Sequence, residues 1–450
     1  MLYNFAGDIG QFFRHIGGIL SEQVLTITNK FIPLHTFIIN CHYMELKKII
    51  SNSLKVLLIL LIIVLAYFVY LVVWTYQFHA NQDKIVENVD SVFYQTSQII
   101  RDPNGYFGVA ATVNGLYTDT LLFDTQASTS LAKQETLDLY GAEYWRRKPM
   151  PTFNFYKQVY FSKLYRVNNI TLGDCTLEKV IFTSVPKDNG MYNALYRPVL
   201  GRTIMENMVW KFDMDNNEMT IFSLKNKEKL KQETTGFTLV EDGVNNLPLC
   251  SEQTDSLNLM LDLGSNYDVI IDKDVYEKLR QHHVPRKYVN FRREGLTDTI
   301  AEFSGITMYC NGVAVPNCVL DYIPSINKNV AGNLFAGKMN FILAGENLYI
   351  KQRTNTLLND CNGFPALGLG INIRNGSICI TALEINGPAE KSGLMLGDKV
   401  IAVNNGTVSV NAMSVSNGKL EKYVQQTNSL TLEIERNGKR QTFNVTRESE

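Results

Sequence analysis

Two stretches of sequence decide the fold: residues 121–128 read LLFDTQAS, and residues 259–265 read LMLDLGS. Each is a short apolar run that ends in an aspartate, Asp124 or Asp262, and each is followed by residues that favour a turn. Helix-like spacing comes next in both places, in SLAKQETLDLYG and in IIDKDVYEKLR. The protein therefore contains an internal repeat with one acidic residue in each copy, at the end of a predicted strand.

Each copy also has an apolar pair before a glycine further along the sequence, VLG at 199–201 and VAG at 330–332. The glycine follows its aspartate by 77 positions in the first copy and by 70 in the second. Both copies then close with a strand, a polar turn and a strand, VWKFDMDNNEMTIF and MNFILAGENLYIKQ. Because short apolar runs alternate with Gly, Asn and Asp after residue 100, we predict a body made mainly of β-strands.

This repeat resembles the paired half-sites of the retropepsin-like and pepsin-like aspartic proteases, over about residues 105–352. The resemblance implies two pseudo-symmetric acid-protease-like β lobes, at residues 105–228 and 236–352. It also implies that Asp124 and Asp262 are a catalytic pair that shares a proton and activates water for peptide hydrolysis. Such chemistry needs neither a metal nor a covalent intermediate.

The residues beside the two aspartates depart from the family pattern of Asp-Thr/Ser-Gly. The first copy keeps Thr125 but has Gln126 where glycine is expected, at a cost of about 1–2 kcal/mol if only glycine fits the backbone there. The second copy keeps Gly264 but has Leu263 in place of the hydroxyl that cross-links the two loops in the family. Ser265 matches the pepsin-like position whose hydroxyl binds the carboxylate. Thr125, Gly264 and Ser265 are the residues expected to support the aspartate pair.

A different pattern occupies the C-terminal part, where residues 387–394 read GPAEKSGL and residues 396–404 read LGDKVIAVN. These segments strongly resemble the core of the PDZ domains of bacterial proteases. The resemblance implies a PDZ domain (α+β) over residues 362–447. It would contain the strands ICITALE, LTLEIER and QTFNVT and a helix that starts near Leu420.

The resemblance also implies a peptide-binding site at Gly368, Leu369, Gly370 and Ile371. The C-terminus of a bound polypeptide would add a strand to the sheet, and backbone N–H groups of this segment would hold its carboxylate. The alternative is that Gly368 and Gly370 only form a turn.

A single apolar segment near the N-terminus, residues 56–74, has 19 residues without a charge. A helix of this length spans about 28 Å, close to the thickness of the bilayer hydrocarbon. We predict a transmembrane signal anchor at 54–76, after a cytoplasmic tail at 1–53 that includes a possible later start at Met44. Lysines at positions 47, 48 and 55 place the N-terminus in the cytoplasm and the C-terminal region outside it, periplasmic or extracellular.

Composition argues against several other classes of protein. Charged residues are 19% of the sequence and the formal net charge is −1, so nothing favours nucleic acid as a partner. The seven cysteines form no C-x-x-C pair, and the sequence has no G-x-S-x-G or H-E-x-x-H motif. His282-His283 is an isolated pair typical of a solvated turn. We predict no cofactor and no metal, and the cysteines are either buried thiols or, after export, disulfide partners.

The sequence thus favours a membrane-anchored aspartic endopeptidase with a PDZ domain that binds peptide C-termini or unstructured segments. Two alternatives stay open: a catalytically inactive bilobed peptide-binding or scaffold protein, and an assembly factor that acts mainly through its PDZ domain. Gln126 and Leu263 are the residues that separate the first hypothesis from the second.

Overall fold

The structure is a computed structural model. It describes residues 39–83, 93–101, 105–153, 159–187, 192, 195, 197–252, 256–293, 296–354, 366–374, 377–404, 406–407 and 427–447. The predicted PDZ helix near Leu420 lies outside these residues, as does most of the predicted N-terminal tail.

The N-terminal unit is one long helix, α1 (Ile39–Asp83). Its residues Ile50–Val73 have a mean hydropathy of 3.3, and none of this window is buried. By length and composition this segment is a candidate membrane span, and a signal sequence has the same properties.

The rest of the protein is mainly β. Its first part contains the elements β1 (Tyr94–Gln98), β2 (Ile100–Arg101), β3 (Phe107–Val113), β4 (Tyr117–Phe123), β5 (Ser130–Lys133), α2 (Gln134–Leu139), β6 (Glu143–Phe153), β7 (Val159–Leu172), β8 (Cys175–Val185), β9 (Val199–Leu200), α3 (Arg202–Met205), β10 (Met208–Asp213), β11 (Glu218–Ser223) and α4 (Lys227–Glu233).

The second part repeats this order with the elements β12 (Thr238–Val240), β13 (Leu247–Leu249), β14 (Leu257–Asp262), β15 (Val269–Ile271), α5 (Lys273–Leu279), β16 (Lys287–Arg293), β17 (Leu296–Cys310), β18 (Val313–Tyr322), β19 (Val330–Gly332), α6 (Asn333–Ala336), β20 (Met339–Ala344) and β21 (Asn347–Gln352). The helix-like segments after both aspartates are confirmed as α2 and α5. Asp272 caps α5 by accepting a hydrogen bond from the Val275 N–H.

The C-terminal part contains the elements β22 (Leu369–Arg374), β23 (Ser377–Glu384), α7 (Pro388–Lys391), β24 (Lys399–Val403), β25 (Gly406–Thr407), β26 (Ser429–Arg436) and β27 (Lys439–Thr446). It has a hydrophobic cluster of its own, which includes Leu369, Ile380, Leu394 and Leu432. The predicted strands ICITALE, LTLEIER and QTFNVT are confirmed as β23, β26 and β27.

Three sheets organise the β body. The first lobe is an eight-stranded sheet in the order β2-β3-β4-β9-β5-β8-β7-β6, together with α2 and α3. The second lobe comprises β13 to β19 with α5 and α6, and its strands belong to a thirteen-stranded sheet. A six-stranded sheet, β1-β11-β10-β20-β21-β12, takes strands from both halves of the protein.

The two lobes repeat the same strand pairings. In the first lobe β4 and β9 run parallel, as do β5 and β8, and β5 is antiparallel to β9. In the second lobe β14 and β19 run parallel, as do β15 and β18, and β15 is antiparallel to β19. The six-stranded sheet joins the halves where β10 pairs with β20. The predicted fold class is confirmed: two pseudo-symmetric, acid-protease-like β lobes, a PDZ domain and one preceding apolar helix.

The thirteen-stranded sheet continues from the second lobe into the C-terminal part. Strand β16 is antiparallel to β23, with Phe291 opposite Ala382 and Val289 opposite Glu384. Lys287 and Glu384 form an ion pair of 2.9 Å across this junction, and both side chains are mostly buried. The sequence analysis did not predict this junction.

Candidate active site

Equivalent strands deliver the two aspartates to the same place. Asp124 follows β4 directly, and its N–H donates to the Leu200 carbonyl at 3.1 Å, which extends the parallel pairing with β9. Asp262 is the last residue of β14 and is paired with Gly332 in β19. Each aspartate therefore sits at the carboxyl end of a strand that is fixed by a parallel neighbour.

The glycine of each apolar-apolar-Gly motif allows the loop after the aspartate to pass close by. A Cβ atom on Gly201 would lie 2.3 Å from the carbonyl carbon of Thr129, and one on Gly332 would lie 2.1 Å from the carbonyl oxygen of Tyr267. Both contacts fall five positions after an aspartate. Since real Cβ atoms do not approach backbone so closely, a larger residue would displace either loop.

Hydrogen bonds connect the same motifs to the loops that follow the two aspartates. The N–H after the first glycine, on Arg202, donates to the Ala127 carbonyl at 2.7 Å. The N–H after the second, on Asn333, donates to the Ser265 carbonyl at 2.9 Å. These bonds are equivalent in the two lobes, so the repeat seen in the sequence has the same structural role in both.

Aromatic packing fixes the base of the first loop. Phe123, the residue before Asp124, is fully buried and contacts Trp210 and Phe212 edge-on at centroid distances of 5.1 and 5.4 Å. Phe212 stacks on Phe341 of β20 at 4.4 Å. Because these rings belong to both halves of the protein, the first aspartate is anchored in the core that the halves share.

The two aspartates come together, and each carboxyl group influences the pKa of the other. The loops touch so closely that a Cβ on Gly264 would lie 2.4 Å from the Asp124 carboxyl carbon. Gly264 is thus required by the approach of the other carboxyl group, and its φ lies outside the left-handed region. Asp262 is only 6% exposed, and Asp124 is partly buried.

The surroundings differentiate the two carboxyl groups. Asp124 Oδ1 accepts the N–H groups of Gln126 and Ala127, both at 2.8 Å. Asp262 Oδ1 accepts one N–H, from Gly264 at 2.9 Å. Burial raises the pKa of Asp124, and these N–H groups oppose the rise. The pKa of Asp262 is raised well above its usual value, by burial first and then by the neighbouring charge of Asp124.

The arrangement therefore favours one shared proton, held by Asp262 beside an ionised Asp124. An anion that accepts two backbone N–H groups is a suitable base for a water molecule. A protonated carboxyl group in hydrogen-bond contact with it can polarise a carbonyl oxygen. This is the chemical division that water-mediated hydrolysis of an amide requires.

Cross-links between the loops come from the first loop. Thr125 is buried; its hydroxyl donates to the Leu261 carbonyl at 2.6 Å and accepts the Leu263 N–H at 3.1 Å. The Gln126 side-chain amide donates to the same Leu261 carbonyl at 2.8 Å. Gln126 does not have a positive φ, so its side chain does not require the strained backbone considered above. Its cross-link was missed in the sequence analysis, where only its departure from the glycine pattern was considered.

The second loop contributes differently from the first. Leu263 is fully buried in the hydrophobic core. The Ser265 hydroxyl was expected to bind the carboxylate, but among the described residues it makes no hydrogen bond. Ser265 acts through its backbone instead, with its N–H donating to the Asp262 carbonyl at 3.0 Å.

The expected peptide-binding segment lies in the C-terminal part. Gly368 has φ +69°, which favours glycine, and Leu369 to Ile371 begin strand β22. Among the strands that the structure describes, β22 pairs only with β23, so no described strand occupies its other edge. A bulge interrupts this pairing between Gly370 and Ile371. An open edge beside an irregular glycine-containing turn fits strand addition by a peptide.

Other candidate groups have structural roles. His282 and His283 lie just after α5, where both N–H groups donate to the Leu279 carbonyl. Cys175, Cys310 and Cys318 are buried thiols, and burial raises their pKa values. Within the described residues no group of three or more His, Cys, Asp and Glu is placed to hold a metal ion.

Comparison with known proteins identifies the C-terminal part. Residues 365–446 match the family model of the PDZ domain, so the predicted PDZ domain is confirmed there. None of the curated proteins matches this sequence.

Solved structures similar to this protein include aspartic proteases. A retropepsin-like aspartic protease from Rickettsia conorii is 17% identical, with a TM-score of 0.23, over 29% of this chain and 91% of that one. The aspartic proteinase from Irpex lacteus is 12% identical, with a TM-score of 0.37, over 59% and 99% of the two chains. Basic 7S globulin from soybean is 9% identical, with a TM-score of 0.35, over 57% and 94%.

Proposed function

We propose that this protein is a membrane-anchored aspartic endopeptidase in which Asp124 and Asp262 hydrolyse peptide bonds. The observation that carries the proposal is the adjacent pair of carboxyl groups, held at the ends of equivalent strands in two equivalent lobes. Supporting roles are assigned to Thr125 and Gly264, which join the two loops, and to the Ser265 backbone.

In the proposed mechanism Asp124 is the base and Asp262 is the acid. Asp124 removes a proton from water as the water oxygen bonds to the scissile carbonyl carbon, and the carbonyl oxygen takes the proton of Asp262. The tetrahedral intermediate then collapses: the C–N bond breaks, the leaving nitrogen takes the proton from Asp124, and Asp262 recovers its own. The two N–H groups on Asp124 favour its anionic form at the start of the cycle.

The test is cleavage of a peptide library by the purified protein between acidic and neutral pH. We expect a bell-shaped profile, because turnover needs one charged and one protonated carboxyl group. Asp124→Asn and Asp262→Asn should each remove the activity while the fold is retained. Cleavage that survives both substitutions would overturn the assignment.

We propose that the domains extend over the predicted ranges, with lobes at 105–228 and 236–352 and the PDZ domain at 362–447. The PDZ domain then binds a peptide C-terminus at Gly368 to Ile371, where the open edge of β22 accepts an added strand. The expected result is that a peptide with a free C-terminal carboxylate binds more tightly than its amidated form. Equal affinity of both forms would exclude a carboxylate site.

A second function, peptide binding without turnover, is favoured by one specific observation. The PDZ domain, confirmed at residues 365–446, can bind polypeptide whether or not the aspartates are active. Carboxylate-dependent binding without any cleavage would support this bilobed binding protein and exclude the peptidase.

We propose that the apolar part of α1 is an uncleaved anchor at 54–76, with the C-terminal region outside the cytoplasm. The lysines before this segment support that orientation. A reporter that is active only outside the cytoplasm, fused after residue 450, should be active. A reporter that works only in the cytoplasm and is active at the same position would reverse the orientation.

A further inference from the structure

The two catalytic loops are joined by side chains from one of them. Thr125 makes two bonds to the backbone of the second loop, one to the Leu261 carbonyl and one from the Leu263 N–H. Gln126 adds a third, through Nε2 to the Leu261 carbonyl at 2.8 Å. A carbonyl oxygen has two lone pairs, so side chains of the first loop occupy both acceptor positions of Leu261.

Two side chains of the second loop, those of Leu263 and Ser265, do not return these bonds to any described residue. Leu263, at the position equivalent to Thr125, is fully buried among apolar residues and has no hydrogen-bonding group in its side chain. The Ser265 hydroxyl has no partner among the described residues. If both loops carried a hydroxyl at this position, each would supply a cross-link. Here the hydroxyl cross-link from position 263 is missing, and Gln126 supplies an amide cross-link in addition to that of Thr125.

Gln126 is connected to both halves of the aspartate pair. Its backbone N–H donates to Asp124 Oδ1 at 2.8 Å, while its side chain holds Leu261, the residue directly before Asp262. The side chain is only partly exposed and its backbone is outside the left-handed region. A glycine at this position would keep the first contact and lose the second.

We propose that Gln126 is a positioning residue that holds the Asp262 strand in register with Asp124, in place of the hydroxyl that position 263 lacks. The expected change in kcat rests on the proposed function. The expected change in the pKa values of the two aspartates rests only on the geometry of the pair. The family pattern has glycine at this position, so Gln126→Gly would be expected to improve the site. The proposal predicts the opposite, that Gln126→Gly impairs it.

The experiment uses Gln126→Met in the full-length protein, because methionine keeps the length of the side chain and removes the donor. We expect kcat to fall about 10- to 100-fold with KM changed less than about 2-fold, as for loss of alignment. The two apparent pKa values of the pair, read by NMR of ¹³C-labelled aspartate carboxyl groups, should move closer together because separated carboxyl groups interact less. Gln134→Met removes an exposed hydrogen bond to Asp138; it is the matched control and should change neither readout.

Two further variants separate positioning from packing. When added to Gln126→Met, Leu263→Thr should partly restore kcat and the difference between the two pKa values. In the parent protein, Leu263→Thr alone removes buried apolar volume. Gln126→Glu keeps the length and can donate only when protonated, so it should resemble the parent at acidic pH and Gln126→Met at neutral pH. Gln126→Glu also serves if Gln126→Met does not fold.

The NMR readout keeps the proposal separate from the proposed function, since it needs no turnover. If the parent protein cleaves no peptide, the endopeptidase assignment fails, and an altered pKa separation in Gln126→Met still supports the positioning role. The positioning role is wrong if a folded Gln126→Met or Gln126→Glu variant keeps the parental difference between the two apparent pKa values of the pair. This holds whether or not the protein is a peptidase.

Discussion

The two lobes share a topology but bury different kinds of polar side chain. Among the described residues, the buried polar side chains of the first lobe all carry hydroxyl groups: Thr125, Thr129, Ser130, Ser162, Thr183, Ser184 and Thr203. On the side of the second lobe they carry charges or amides: Asp262, Asp268, Glu302, Asp321, Asn333 and Lys338. Hydroxyl groups do not titrate in the physiological range, whereas buried acids do. The comparison teaches that, apart from the aspartate pair, the buried acids that the structure describes in the two lobes all lie on the side of the second lobe.

Three buried acids of the second lobe lie apart from the aspartate pair. Asp268 is paired with Lys338, and its carboxylate also accepts the Val319 N–H at 2.8 Å. Asp321 lies opposite Glu302 on the neighbouring strand, and both are buried. Burial first, and then the charge of Glu302, raises the pKa of Asp321 well above its usual value. Folding therefore favours a protonated Asp321.

The largest effect expected from this comparison is on Asp124 and Asp262, under the proposed function. Asp124→Asn and Asp262→Asn should each lower the cleavage rate about 10²- to 10⁴-fold, since each removes a proton-transfer group. Their effects on stability should differ. Asp262→Asn removes a buried acid whose pKa is raised, so it should increase the free energy of unfolding at neutral pH relative to Asp124→Asn. Urea unfolding at pH 7 measures this, and equal values would contradict the assignment of the shared proton to Asp262.

A smaller effect is expected at the glycine that faces the other lobe. Gly264→Ala places a Cβ 2.4 Å from the Asp124 carboxyl carbon, whereas the equivalent position in the first loop already carries Gln126. We expect a loss of about 1–3 kcal/mol of stability from overpacking and a fall in cleavage rate of about 10- to 100-fold. Gly337→Ala is the control, because its nearest neighbours lie 3.4 Å away. Wild-type activity of Gly264→Ala would show that the loops do not approach each other this closely.

The pH dependence of stability should distinguish the lobes directly. The contribution of Asp321 is fully present below its unfolded pKa, near 3.8, and is lost as the pH rises through the higher folded pKa. Asp321→Asn should therefore raise the free energy of unfolding at pH 7 by about 1–3 kcal/mol. It should have little effect at pH 3.

The matched variant in the first lobe is Thr183→Val. It removes the hydroxyl bond to Thr129, of 2.6 Å, and should lower stability equally at both pH values. Unfolding curves at pH 3 and pH 7 decide the comparison. It fails if Asp321→Asn shifts both curves equally or if the effect of Thr183→Val depends on pH.

The smallest effect concerns the hairpins of the two lobes. Only the second-lobe hairpin of β16 and β17 pairs with the PDZ domain, through β23, among the described strands. Lys287→Met leaves Glu384 without its 2.9 Å partner and should cost about 1 kcal/mol. Hydrogen exchange should accelerate at the Ile385 N–H, which donates to the Tyr288 carbonyl.

Arg440→Met is the control for this junction. Its ion pair with Glu433 is largely exposed on the arginine side, so it should change stability by less than about 0.5 kcal/mol. If both substitutions leave the Ile385 N–H equally protected, the ion pair does not stabilise the junction.

The sequence predicted the strand ends that carry Asp124 and Asp262, since a repeated local pattern specifies each half. The spacing to Gly201 and Gly332 likewise reflects a contact that each lobe makes within itself. The PDZ core was also predictable, because its turns and apolar positions are local features.

The features of the fold and of the candidate site that could not be predicted from the sequence depend on contacts between distant segments. The cross-link from Gln126 to Leu261 joins residues 135 positions apart, and the family pattern gave no reason to expect it. The pairing of β16 with β23 depends on where two separately formed folds meet, which no periodicity records. The buried acids Glu302 and Asp321 looked like ordinary strand residues, since burial is a property of the assembled lobe.

The continuous thirteen-stranded sheet has a mechanical consequence for the C-terminal part. From β14, which ends in Asp262, the order runs through β19, β15, β18, β17, β16 and β23, and β22 lies beyond. Backbone pairing is therefore continuous from the strand that carries one aspartate to the strand expected to bind a peptide. A rigid-body displacement of the C-terminal part would have to break the hydrogen bonds between β16 and β23.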